Sequence, residues 1–143
     1  MSTAATDTLA SELEPRIVGL FAMLLRGTPQ RLSLTSASTL GTLRDDGPQR
    51  VTALAERQAV AQPTMTRLLC TLEQRGLVER LPDPHDRRAC LISVTQAGLA
   101  TLAERSDARA ALLQERIARL SEEQRRALHG ALTAIDALTE PAC

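Results

Sequence analysis

Gln62, Pro63, Thr64, Thr66 and Arg67 form the densest group of side chains in this 143-residue sequence that could do recognition chemistry. A glutamine amide can donate to and accept from the edge of adenine. An arginine fork can donate twice to guanine, and a threonine methyl can pack on thymine. Among these residues Met65, Leu68, Leu69 and Leu72 recur at helical spacing, so they are expected to face a core. The opposite face then carries Gln62, Pro63, Thr66, Arg67 and Cys70. By itself this face also suits an ordinary solvated helix. A second group follows in Pro82-Asp83-Pro84-His85-Asp86-Arg87-Arg88. Two prolines stiffen that loop. Asp86 is expected to pair with one arginine and hold the tip in shape, leaving the other free to enter a narrow minor groove, whose potential attracts guanidinium. A charged hairpin turn is the plainer alternative.

The elements that must position these groups are legible around them. Leu9, Leu13, Ile17, Leu20 and Leu24 make one apolar stripe, predicting a first helix over roughly residues 8–26, with a kink or a late start at Pro15. Gly27-Thr28-Pro29 is a turn. A second helix is expected from Ser33 or Thr35 to Arg44, ended by Asp45-Asp46-Gly47-Pro48. Thr52 is the expected N-cap of a short third helix with Leu54 and Ala55 facing inward. A fourth helix starts near Gln62-Pro63, where proline is tolerated in the first turn, and Gly76 suits the position after its end. Leu77–Leu81 and Ala89–Val94 read as two strands flanking the charged loop. Thr95 can cap a long fifth helix striped by Leu99, Leu102, Ser106, Ala110, Leu113, Ile117 and Leu120. Ser121-Glu122-Glu123-Gln124 is a capping box opening a sixth, striped by Leu128, Leu132, Ile135 and Leu138. The stretch from Thr52 to Thr95 thus reads as a helix-turn-helix followed by a β-hairpin, a geometry that suits double-stranded DNA contacted in two grooves.

Composition narrows the classes. The 17 basic and 17 acidic residues cancel, so any attraction to DNA must come from their distribution. Every basic residue is arginine, which favours two-point contacts with phosphate and guanine, although a GC-rich coding bias produces the same pattern. Phe21 is the only aromatic residue, which argues against single-strand readers that stack bases on aromatic platforms. Cys70, Cys90 and Cys143 are too few and too scattered for a disulfide framework, and with only His85 and His129 there is no zinc-ligand spacing. No metal or cofactor is expected. No apolar run approaches the ~20 residues that cross a bilayer, and the N-terminus lacks signal-peptide features, so a cytoplasmic location without membrane contact is expected.

Three motifs together resemble the MarR family of winged helix-turn-helix transcription regulators over about Leu34 to Leu138. They are Leu54-Ala55-Glu56-Arg57-Gln58-Ala59-Val60 before the recognition helix, Leu72-Glu73-Gln74-Arg75-Gly76-Leu77-Val78-Glu79-Arg80 at its end, and Asp83-Pro84-His85-Asp86-Arg87-Arg88 with Val94-Thr95-Gln96-Ala97-Gly98 in the wing. The resemblance implies a mainly α fold with a small β-hairpin and with terminal dimerisation helices. It implies one domain over residues 1–143, with a DNA-binding region at 30–98 and dimerisation helices at 8–28 and 99–139. It also implies a homodimer on a near-palindromic operator, a repressor role and a small organic anion as effector. Gln62, Pro63, Thr64, Thr66, Arg67, Asp86, Arg87 and Arg88 would touch DNA, and Asp83 and Asp86 would stabilise the wing. Leu9, Leu13, Ile17, Leu128, Leu132 and Ile135 would form the dimer interface. Two positions depart from the family pattern. Ala59 stands where glycine is frequent, and is strained if its φ is positive. Ala61 stands where Ser or Thr usually caps the recognition helix, so a cap is expected from elsewhere.

Other function classes fit less well. Cys70 and His85 are the only tempting catalytic pair, and nothing orients them, so no enzyme is expected. A winged helix used only for protein interaction is the main competitor. A third reading makes Cys70, with an arginine near it, a redox-sensitive thiol on the DNA-facing surface; Cys90 reads as strand packing.

Overall fold

The computed structural model describes residues 3–140. Its elements are α1 (Thr3–Gly27), α2 (Leu34–Asp46), α3 (Val51–Arg57), α4 (Gln62–Gln74), β1 (Val78–Pro82), β2 (Cys90–Val94), α5 (Gln96–Ile117) and α6 (Glu122–Thr139). The expected mainly helical winged helix-turn-helix is therefore present. Cys143 lies outside the described residues.

The chain divides into two units. Residues 28–108 form one. Its core comprises Leu32, Leu40, Leu43, Leu54, Ala55, Met65, Leu69, Leu72, Leu77, Val78 and Ile92. Three helices contribute to it in the register their sequences require: Leu40 and Leu43 from α2, Leu54 and Ala55 from α3, and Met65, Leu69 and Leu72 from α4. β1 and β2 pair antiparallel from Val78↔Val94 to Pro82↔Cys90. Gln49 adds a short third rung: its N–H donates to the Ile92 carbonyl (3.0 Å), and the Ile92 N–H donates back (2.8 Å). Two chain reversals set the angles between elements. Gly76, at φ 72°, closes α4 with bonds from its own N–H to Glu73 and from the Leu77 N–H to Leu72. Gly98 meets the strands so closely that a Cβ there would lie 2.2 Å from the Leu77 carbonyl oxygen. Thr95 caps α5 as expected, accepting from the Gly98 N–H (3.1 Å).

The other unit contains the residues up to Gly27 and those from Arg109 onward. Neither α1 nor α6 buries a single residue. Leu9, Ile17, Leu128, Leu132 and Ile135 are all exposed, by 40–56%, and Leu13 is half-buried. Gly27 leaves room for Leu112, whose Cδ2 would lie 2.4 Å from a Cβ there. The capping box of α6 is complete, with Ser121 and Gln124 each satisfying the other's backbone N–H.

Three local expectations require correction. α1 has no late start at Pro15; it begins at Thr3 and runs through the proline. α3 is flanked by Arg50 at its N-cap rather than Thr52, without a side-chain cap. The fifth helix ends at Ile117, so Leu120 falls in the turn before α6.

Candidate nucleic-acid interface

The turn between α3 and α4 determines how α4 is presented. α3 ends with the Ala59 N–H donating to Glu56 and the Val60 N–H donating to Ala55. This pattern needs a left-handed residue after the cap, and Ala59 supplies it at φ 52°. A Cβ is strained in that region, so the strain expected from the sequence is present. α4 then starts at Gln62 with Ala61 at the N-cap and no side-chain cap bond. The expected substitute cap is therefore not supplied by a side chain. Open N–H groups at a helix N-terminus suit an external acceptor such as a phosphate oxygen.

On α4, Met65, Leu69 and Leu72 are buried, while Gln62, Pro63, Thr64, Thr66, Arg67 and Cys70 are exposed. The Thr66 hydroxyl donates to the Gln62 carbonyl (3.0 Å), leaving its methyl and an oxygen lone pair for an outside contact. Arg67 enters no ion pair among the described residues, which leaves its fork available.

The wing tip is held differently from the sequence expectation. Asp86 pairs with neither arginine side chain among the described residues. Its carboxylate instead accepts from the Arg88 backbone N–H (2.9 Å), and its carbonyl accepts from the Ala89 N–H (3.1 Å). Backbone bonds shape the turn, so the exposed Arg87 and Arg88 both keep their guanidinium groups out of it. At the root of the loop Asp83 is 6% exposed. One of its oxygens accepts from the His85 N–H (2.8 Å) and the other from Arg50 Nε (2.7 Å). These bonds, the His85 one foremost, hold its carboxyl below the usual carboxylate range.

Sequence reasoning missed Arg50 and Gln49. Arg50 lies 33 positions before its partner Asp83, so no local periodicity links them. A hint was available in an aspartate expected to be structural, since a buried carboxylate needs a cation. Cys90 does more than pack: it accepts from Arg80 Nη1 (3.5 Å), and Arg80 also pairs with Glu73 of α4 (3.1 Å). The arginine–cysteine contact is thus at Cys90, while Cys70 stays exposed on the outer face of α4.

Residues 32–90, which contain the helix-turn-helix and most of the wing, match the MarR family model. The chain is 35% identical over 133 residues to the HTH-type transcriptional regulator MT0903.1 of Mycobacterium tuberculosis, covering 92% of this chain and 93% of that one. It is 27% identical over 125 residues to the HTH-type transcriptional repressor MdtR of Bacillus subtilis, covering 84% and 81% respectively. The crystal structure of transcriptional regulator Tm0710 from Thermotoga maritima has the same fold, with a TM-score of 0.74 at 23% identity over 90% of this chain and 93% of that one. With its core, wing and recognition helix in the corresponding order, this chain belongs to the MarR family of transcriptional regulators.

Proposed function

We propose that this regulator is a sequence-specific, double-stranded DNA-binding repressor that acts as a homodimer on a near-palindromic operator. The observation that carries this reading is the joint exposure of two unencumbered arginine groups, Arg67 on α4 and Arg87 with Arg88 at the wing tip. A helix in the major groove and a guanidinium in the minor groove read one half-site together. Gln62, Pro63, Thr64 and Thr66 share the helix contact, and Asp86 shapes the tip. Two copies place two such readers about ten base pairs apart or a multiple of it. The apolar stripes on α1 and α6, with residues 8–28 and 99–139 as dimerisation segments, support the pairing. A repressor role is drawn from the name of the Bacillus relative. The protein would act in the cytoplasm; no helix among the described residues is long and apolar enough to cross a membrane.

Relief by a small organic anion is supported by a cavity of about 210 Å³ whose polar lining is Thr28, Arg31, Thr101, Glu104 and Arg105. Its size suits a single-ring carboxylate rather than a drug-sized molecule. Salicylate at millimolar concentration should release the DNA; benzoate-class acids that leave the complex intact would remove the effector from the proposal.

The deciding test is a mobility-shift titration against duplex DNA from upstream of the coding sequence, with random duplex as competitor. Retention of the specific complex is expected. Equal loss to both duplexes would instead favour a winged helix used for protein contacts.

A further inference from the structure

We infer that Arg50 is a positioning residue for DNA binding, latching the wing to the helix-turn-helix through Asp83; this rests on the DNA-binding role proposed above. The β1–β2 ladder is weak where the wing leaves it. Its last pair is Pro82↔Cys90, and Pro82 has no N–H to give. The next backbone bond, from the Asp83 N–H to the Ala89 carbonyl, is long at 3.4 Å. The loop bearing Arg87 and Arg88 therefore owes its direction largely to the Asp83 carboxylate. One oxygen of that carboxylate holds the loop through the His85 N–H. The other receives both Nε (2.7 Å) and Nη2 (2.5 Å) of Arg50.

Arg50 is well placed for this role because it stands immediately before α3, the helix whose end orients α4. Its neighbour Gln49 pairs with Ile92 of β2 through the backbone. Two consecutive residues thus grip the wing, Gln49 holding β2 by main chain and Arg50 holding the loop root just after β1 by side chain. The wing tip and the recognition helix are referred to one short segment.

A direct phosphate contact by Arg50 is the rival account, since the side chain is 47% exposed. The two accounts differ in sign for Asp83→Asn. Removing a negative charge near DNA, and releasing Arg50, should raise affinity by simple electrostatics. Loss of a latch should lower it. The experiment compares Asp83→Asn, Arg50→Gln, their double variant and Arg50→Lys by fluorescence anisotropy on an upstream duplex. Amide hydrogen exchange at residues 84–89 is followed in the DNA-free proteins.

We expect each single variant to weaken binding roughly tenfold, the scale of one lost charge-assisted contact. The double variant should be no weaker than the worse single one, and Arg50→Lys should recover part of the loss. Wing amides should exchange faster in the Gln and Asn variants while those of α2 do not. Binding by Asp83→Asn at or above the parent's affinity overturns the inference, as does unchanged wing exchange. If the parent protein shows no preference for duplex DNA, the proposed function fails, and the exchange data alone decide whether the latch exists.

Discussion

Ala59 shows how a single backbone angle can be legible as a question before it is answered. The family pattern predicts glycine there, and the structure places alanine at φ 52°. A left-handed L-residue costs about 1–2 kcal/mol, whereas replacing it by glycine costs up to about 1 kcal/mol of unfolded-state entropy. The first effect wins narrowly. Ala59→Gly should raise stability by about 0.5–1 kcal/mol in a denaturant titration, and Ala59→Val should lower it by more than that. The exposed face of α4 was legible for a related reason, because helical spacing alone separates Arg67 from Met65 and Leu69. Arg67→Ala should cost ~1–3 kcal/mol and relax base preference at one position in each half-site. Arg87→Ala and Arg88→Ala should weaken binding more evenly across major-groove variants. Selection from a randomised duplex library distinguishes these two patterns.

The elements were readable to within a residue or two wherever caps and periodicity agreed, as at Ser121 and Gly76. They were misread where residue type alone suggested one contact and the backbone made another. Thr52 has the chemistry of a cap, but α3 already includes it: Arg50 stands at the N-cap position, and its side chain bonds Asp83 instead of capping the helix. Asp86 suggested an ion pair, and its carboxylate accepts from the Arg88 backbone N–H instead. Two predictions belong at this scale. Gly98→Ala gains helix propensity of about 1 kcal/mol, but its Cβ would meet a backbone oxygen at 2.2 Å, which cannot swing away. A net loss of about 1–2 kcal/mol is expected in thermal unfolding, since overpacking a tight contact costs ~1–3 kcal/mol. Asp83 has a depressed carboxyl, so its stabilising contribution is complete above the unfolded aspartate value near ~4 and disappears as pH falls through the lower folded value. The stability gap between the parent and Asp83→Asn should stay level from pH 7 to about 5 and narrow on further acidification.

For the molecule as a whole, a charge balance of 17 against 17 gave no indication of a nucleic-acid partner. The proposed contact rests on where Arg67, Arg87 and Arg88 sit, and composition cannot show that. Affinity should nonetheless fall with salt at a logarithmic slope near −0.9 for each phosphate neutralised, and a flat response would contradict the proposed contact. The terminal unit raises the question of assembly. Leu132→Glu with Ile135→Glu should leave the winged-helix unit folded by circular dichroism, shift sedimentation to the mass of one chain, and cut operator affinity by roughly 10²-fold or more as two linked contacts become one.

The same unit imposes an order on biosynthesis. It joins residues that precede the winged-helix segment, up to Gly27, with residues that follow it, from Arg109 onward. The segment between them, residues 28–108, is contiguous and can close while synthesis continues, whereas α1 must wait, its leucines bare, until the residues beyond Arg109 have been translated. During that interval a nascent chain offers chaperones a greasy helix, and messages cut short by a premature stop would release winged-helix segments that lack the surface on which the proposed pairing depends.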